Sequence, residues 1–443
     1  MPDLNPLPTS DMTREEIARV EVGHTAIDPR LALLLTVVFL AALLAVLLVE
    51  TLAGGDPAAT SPWRRLFAMP SAVSAGPGSQ DLGGGWRAWN RAMSANRTAL
   101  AEIAAFENVL DESSVLGRAL RPPAQRLLSG ALGAGNERVY LGRDGWLFYR
   151  TDVDYVTGPP FLDERQLRRR AASADEWTAV PAPDPRPAIR QFHRQLADRG
   201  ILLVLMPTPV KPAVHPEKLT PRLEEPREPL HNGSFQPLLE ELRREGITVF
   251  DPSPQLAAAR RPSAPQYLAT DTHWRPEGME LAAERLAAFI REHVELPAAA
   301  APGYRYEERE VSNTGDTTVM LDLPEGQTRY AAEAVLIRRV LQADGTPWRS
   351  DPEADVLVLG DSFSNIYALA SRGWGDSAGL VEHVSAGLGR PVDRFVQNDA
   401  GAYATREMLQ RADSARLSRK RVVIWQFAER ELASGDWRLI DLP

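Results

Sequence analysis

VLVLGDSFSN, residues 356–365, runs through four consecutive apolar residues, breaks at Gly360 and delivers an Asp-Ser pair. An apolar run without alternation reads as a strand buried on both faces, the habit of parallel sheets. Ser362 then stands just past the carboxyl end of that strand, the edge where open α/β sheets bind ligands. A serine there exposes its hydroxyl for attack on a carbonyl, and its N–H, at the start of a helix, can help hold the resulting oxyanion. Read alone, the same residues also fit a plain helix cap by Asp361 and Ser362.

Working outward, further strands are read at ILLVLM (201–206), ITVF (247–250), VDRFVQN (392–398) and RVVIWQF (421–427). Helices fall between them: AIRQFHRQLADRG carries Ile189, Phe192 and Leu196 at helical spacing, with Gly200 as its stop. QPLLEELRREG (236–246), EGMELAAERLAAFIREH (277–293) and the stretch around Arg406–Leu409 complete the alternation. VYLGRDGWLFYR (139–150) reads as a hairpin around an Arg-Asp-Gly turn. Apolar strands alternating with helices predict a mostly parallel sheet covered on both faces, an α/β/α sandwich of three layers.

A second polar segment, DTHW (271–274), precedes the helix over 277–293. A serine hydroxyl needs a base to take its proton, and the base needs a third group to fix its tautomer. Asp271 is close enough to orient His273. His193 sits inside a helix beside Phe192, and His293 lies at a helix C-terminus, where a cation suits the dipole. A loop histidine with structural hydrogen bonds is the plainer alternative for His273.

The N-terminal part is organised differently. Leu31 to Val49 reads LALLLTVVFLAALLAVLLV without a charge, close to the ~20 residues that span a ~30 Å hydrocarbon core. Acidic residues ahead of it, Asp3 and Glu15 among them, are unlike a secretory signal, so the run is read as an uncleaved signal anchor. The expected organisation is a cytoplasmic tail over 1–30 and a single transmembrane helix over 31–53. A tether with stalk helices follows over 54–130, then the α/β domain over 131–443. The tether includes PSAVSAGPGSQDLGGG (70–85), and AEIAAFENVL (101–110) is its clearest helical piece. AASADEWTAVPAPDPRP (171–187) reads as a surface loop. Arg14, Arg19 and Arg30 before the span, against Arg64 and Arg65 after it, give a weak orientation bias. The chemistry favours an inner-membrane, single-pass protein with its catalytic domain in the periplasm.

Composition narrows the function classes. Hydrophobic residues make up 44% and net charge is −9, so the phosphate-binding footprint of nucleic-acid proteins is missing. There is no cysteine, which removes disulfides, thiolate nucleophiles and thiolate zinc sites together. No phosphate loop, dinucleotide fingerprint or metal-ligand spacing occurs, and no cofactor or metal is expected. Lys211, just past the strand at 201–206, is a candidate substrate contact or holds a loop; Trp274 and Trp146 are candidate stacking platforms, against the commoner reading of buried structural tryptophan.

GDSFS (360–364) and DTHW (271–274) together resemble the SGNH/GDSL superfamily in the arrangement of the alginate O-acetyltransferases of AlgJ and AlgX type, in which the Asp-x-His segment precedes the serine. GNERVYLGRDGWLFYR (135–150), MPTPVKPAVHPEKL (206–219), TGDTTVMLDLP (314–324) and VIWQFAERELA (423–433) look like further segments of that family in its order. The resemblance implies an SGNH-like fold with Ser362 as nucleophile, His273 as general base and Asp271 as its orienter. It puts the oxyanion donors at Ser362 and Gly401, the latter after the strand at 392–398. The superfamily's Gly-x-Asn-Asp segment would fall on 421–427, where WQFAER stands instead, leaving Gln426 as the nearest substitute.

The resemblance further implies O-acetylation of an extracytoplasmic polysaccharide through an acetyl-serine, with a separate multi-spanning O-acyltransferase in the membrane passing acetyl groups across. An SGNH-type acetylesterase and a non-catalytic polysaccharide-binding component of an export complex remain alternatives. The anchor reading has a direct check: full-length chain should sediment with membranes and need detergent, whereas a chain begun near residue 86 should be soluble and folded. Full-length chain in the supernatant after membranes are pelleted would contradict an uncleaved span.

Overall fold

The structure, a computed structural model, describes residues 28–53, 114–173, 180–223, 228–298 and 301–442, with isolated positions between 96 and 103. The tail over 1–27, the tether over 54–85 and all of AEIAAFENVL except Ile103 lie outside the described residues. The chain divides into two units, 1–120 and 121–443. In the first, the apolar run forms a single helix, α1 (Pro29–Ala53). Its side chains are described without a break only over 28–42, and among the described residues no helix is long and apolar enough to cross a membrane. The helix α2 (Val115–Ala131) falls where stalk helices were expected.

The second unit begins with β1 (Val139–Leu141) and β2 (Leu147–Tyr149), an antiparallel hairpin. Its turn has Asp144 and Gly145 at φ 55° and 79°, the left-handed region that short polar residues and glycine enter most readily. In chain order there follow α3 (Arg150–Thr157), α4 (Pro185–Ala197), β3 (Leu202–Thr208), α5 (Phe235–Arg244), β4 (Thr248–Val249) and α6 (Pro276–His293). Next come β5 (Arg305–Asn313), β6 (Glu333–Leu341), β7 (Val356–Gly360), the short α7 (Ser362–Asn365), α8 (Leu380–Leu388), β8 (Asp393–Val396), α9 (Ala404–Gln410) and β9 (Val422–Ala428). The loop expected over 171–187 ends early: Pro185 opens α4, and Asp184 caps it by accepting the Arg186 N–H. A fixed proline φ and a missing N–H suit a first helical turn.

The central sheet is five-stranded in the order β4-β3-β9-β7-β8, parallel at every pairing. Strand side chains alternate between two cores. Val204, Met206, Val356, Val358, Val422 and Ile424 face one core, which α6 and α8 cover. Leu203, Leu205, Leu357, Leu359, Val423 and Trp425 face the other, under α4, α5 and α9. The expected mostly parallel sheet is therefore present, with helices on both faces. Trp425 meets Phe192 of α4 edge-on at 5.3 Å and lies 5.5 Å from Trp437.

The hairpin of β5 and β6 was not anticipated. RYEEREVSN has charged residues on both faces of the strand, so it lacks the apolar alternation that marks a half-buried strand. β6 alone carries the buried Val335, Ile337 and Val340 that seat the pair on the first core. β5 then runs directly into Thr314-Gly315-Asp316, beside the DTHW loop.

Since Trp425 fills the centre of the second core, Trp425→Ala should lower the free energy of unfolding by about 3–5 kcal/mol, the usual cost of removing a buried large aromatic. Urea unfolding of the purified chain reads this, and a change below ~1 kcal/mol would contradict the packing described.

Candidate active site

The carboxyl ends of β3, β9 and β7 meet at one buried knot. Asp361, directly after β7, caps α7 by accepting the Phe363 N–H on Oδ1 (2.9 Å) and takes the Ala428 N–H on Oδ2 (2.6 Å). Gln426 of β9 donates from Nε2 to Asp361 Oδ1 (2.8 Å) and Thr208 Oγ1 (3.0 Å). Its Oε1 accepts from the Asp361 N–H (3.0 Å) and the Ser364 hydroxyl (2.7 Å). The turn carrying Ser362 is thereby tied to two neighbouring strands.

Against this turn the DTHW loop brings the histidine. His273 Nε2 lies 2.8 Å from Ser362 Oγ, and His273 Nδ1 lies 2.6 Å from Asp271 Oδ1. The proton thus belongs on Nδ1, which leaves the Nε2 lone pair to accept the serine O–H. Asp271, His273 and Ser362 are all nearly buried. Burial by itself would raise the Asp271 carboxyl. The His273 bond and charge, the Trp374 Nε1–H (2.9 Å) and the Asp316 N–H (3.0 Å) outweigh it and hold the group below the usual carboxylate range.

Two parts of this site were missed by sequence reasoning. Asp316 accepts the Thr272 N–H (2.7 Å) and hydroxyl (3.0 Å), and its Oδ2 stands 3.6 Å from His273 Nδ1. Burial, then the charge of Asp271, raises its own pKa. Trp374 and Arg372 come from one loop after α7, and an Arg372 Nη2 lies 3.3 Å from His273 Nε2. TGD at 314–316 was legible as a segment but carried no chemical signal of its own. The Arg-Gly-Trp stretch has no periodicity to mark it.

The other candidates fall differently. Gly401 packs behind the turn: a Cβ there would lie 3.4 Å from Asp361 Oδ2, and its carbonyl accepts the Trp425 Nε1–H (3.2 Å). Gln426 is corrected as an oxyanion donor, because both amide hydrogens are occupied by Thr208 and Asp361 and the side chain is fully buried. For Lys211 the loop-holding reading replaces the substrate contact. The side chain is fully buried, its ammonium donates to the Leu147 (2.5 Å) and Ala269 (3.2 Å) carbonyls, and burial lowers its pKa to about 8. Trp274 is likewise no stacking platform. It is fully buried, donates to the Phe363 carbonyl (3.1 Å) and meets the Phe363 ring edge-on at 5.4 Å. Trp146 is buried with the first core.

Among the described residues one group has the spacing of metal ligands: Asp271, His273 and Asp316 offer atoms within 4.8 Å of one another. Three of their four carboxylate oxygens already accept N–H bonds, and the Nδ1–Oδ1 contact is a hydrogen bond between the two would-be ligands. The arrangement serves proton handling better than coordination.

A family model described as "SGNH hydrolase-like domain, acetyltransferase AlgX" matches residues 139–429. The chain belongs to that family. Of the curated relatives, the Pseudomonas aeruginosa protein named "Probable alginate O-acetylase AlgJ" is 29% identical over 308 residues, covering 67% of this chain and 71% of that protein. Its Pseudomonas fluorescens namesake is 26% identical over 303 residues, covering 67% and 69%. Among solved structures, the O-acetyltransferase domain of Pseudomonas putida AlgJ superposes with a TM-score of 0.49 at 22% identity, covering 67% of this chain and 92% of that one.

Gly315 is what lets the Asp316 loop approach: at φ +80°, a Cβ there would lie 2.1 Å from the Thr270 carbonyl oxygen. Gly315→Ala should push the DTHW loop off Ser362. Turnover of an acetyl ester should fall at least ~10-fold, as expected when a positioned base is displaced, with KM little changed and the circular dichroism spectrum retained. Unaltered turnover would contradict this bracing.

Proposed function

We propose that the chain is an O-acetyltransferase acting on an extracytoplasmic polysaccharide through an acetyl group carried on Ser362. The observation that carries the reading is the unbroken row Asp271 Oδ1, His273 Nδ1, His273 Nε2, Ser362 Oγ, at 2.6 and 2.8 Å. Family membership and the acetylase names of the curated relatives support the choice of acetyl group and of a polysaccharide acceptor.

In the first half-reaction Ser362 Oγ attacks the donor's carbonyl carbon while its proton passes to His273 Nε2. The tetrahedral oxyanion collapses, the donor's leaving group departs with that proton, and acetyl-Ser362 remains. In the second, a sugar hydroxyl gives its proton to Nε2 and attacks the acetyl carbon, and Ser362 leaves with the proton returned. Asp271 stays ionised throughout and stabilises the imidazolium formed in each step. Ser362 is a donor to the oxyanion through its own N–H, and Gly401 is the second candidate.

The reading extends to location. The uncharged sequence Leu31–Val49, about the length that spans a bilayer as helix, supports a single inner-membrane anchor with the domain on the periplasmic side. Acetyl thioesters are cytoplasmic, so a multi-spanning membrane acyltransferase would hand acetyl groups to Ser362.

Full-length chain in detergent, incubated with an activated acetyl ester, should gain one acetyl mass on the peptide carrying Ser362. Ser362→Ala should lose label and turnover, and His273→Ala should lower turnover at least ~10²-fold. Oligosaccharide acceptors should accelerate ester consumption and acquire acetyl. Release of acetate alone with every acceptor would favour an esterase, and undiminished turnover in Ser362→Ala would remove the mechanism.

A further inference from the structure

The charges around His273 are arranged by sign. Two carboxylates, Asp271 and Asp316, stand on the Nδ1 side at 2.6 and 3.6 Å. One cation, Arg372, stands on the Nε2 side at 3.3 Å, sharing the lone pair that Ser362 also faces. Arg372 ends a short 3₁₀ turn, Ala370–Arg372, whose position is fixed through the backbone: the Arg372 carbonyl accepts from Asn313 Nδ2 (3.2 Å). Arg372 is half-buried and makes no ion pair with any carboxylate among the described residues. Asp376, four residues on, is engaged by Arg309 and Arg339.

A guanidinium has only donors and does not deprotonate. Beside neutral Nε2 it can donate into the ring lone pair. Once His273 has taken the serine proton, Nε2–H is itself a donor, and the guanidinium faces a like charge with no acceptor. That proton transfer also creates a new acceptor, the negative oxygen on the acyl carbon bonded to Ser362 Oγ. The event that displaces the guanidinium therefore supplies its next partner two bonds from the serine oxygen. Gln426 does not offer a donor there, because both of its amide hydrogens are occupied.

We infer that Arg372 is a catalytic residue of this site, donating to the tetrahedral oxyanion formed on the Ser362-bound acyl group. The inference rests on the acetyl-serine reading. In the step concerned, the Oγ–carbon bond forms, the serine proton moves to Nε2, and the carbonyl π pair becomes the oxyanion that Arg372 meets. Collapse re-forms the carbonyl, breaks the bond to the leaving group and returns the proton to it.

The test uses full-length protein and a small neutral chromogenic acetyl ester, with Ser362→Ala run in parallel. Arg372→Gln should lower kcat by about 10²–10³-fold, the cost of one oxyanion donor, with KM nearly constant. Arg372→Lys should recover part of the loss. Added guanidinium ion should restore turnover to Arg372→Ala, which a merely structural role would not permit. Neutral-ester turnover within threefold of the parent in Arg372→Gln would overturn the inference. So would a defect confined to KM for carboxylated oligosaccharides, which would put Arg372 on the acceptor instead. Ser362→Ala separates the two failures: if it is inactive while Arg372→Gln is not, only the role of Arg372 falls. If Ser362→Ala is active, the acetyl-serine reading falls first.

Discussion

Everything at this site depends on one buried side-chain amide. Gln426 joins the ends of three parallel strands, through Thr208, Asp361 and its own position in β9, and receives the hydroxyl of Ser364 as well. Its four hydrogen bonds are made in a dry interior, where a satisfied polar network rigidifies and an unsatisfied one is costly. Ser362 and His273 are 89 residues apart in the chain and meet at 2.8 Å. That convergence needs a turn held within a fraction of an ångström, and the Gln426–Asp361 pair supplies it on the serine side. Gly315 and Asp316 supply it on the histidine side.

A second serine–histidine–carboxylate row elsewhere in the fold shows that convergence alone does not free a serine proton for the ring. Ser253 Oγ lies 3.2 Å from His231 Nε2, and His231 Nδ1 lies 3.1 Å from Glu429 Oε2. Here, however, Ser253 gives its proton to Asp251 at 2.6 Å, so its hydroxyl faces the ring as an acceptor. Burial opposes charge on His231, but Glu429 and Asp251 outweigh it and raise the pKa. At Ser362 no carboxylate competes for the serine proton, because Asp361 is turned away to the Phe363, Ala428 and Gln426 donors.

The central sheet was legible because parallel strands buried on both faces leave continuous apolar runs, and each of β3, β7 and β9 carries one. DTHW and GDSFS were legible as segments because the Asp271–His273 contact is local in sequence and Ser362 follows a strand end. The hairpin of β5 and β6 was not, since β5 presents charge to solvent and owes its place to its partner strand. For Lys211 and Trp274, each left with a binding and a structural reading, the structural one holds for a shared reason. Sequence position put them near the site, but a buried lysine holding two carbonyls and a tryptophan bonded to the Phe363 carbonyl are scaffold, and burial is not local information. Asp316, Arg372 and Trp374 contact His273 and Asp271 across 45 to 103 residues of chain, as the separations of their hydrogen bonds show. No spacing rule could have joined them.

The central claim is that the histidine bond makes Ser362 the nucleophile of this fold. Reaction of the full-length chain with a fluorophosphonate, mapped by mass spectrometry, measures it most directly. A single adduct on Ser362 is predicted, forming at least ~10²-fold more slowly in His273→Gln, the contribution of a positioned base. An adduct on a different serine, or an equal rate without the histidine, would contradict the account.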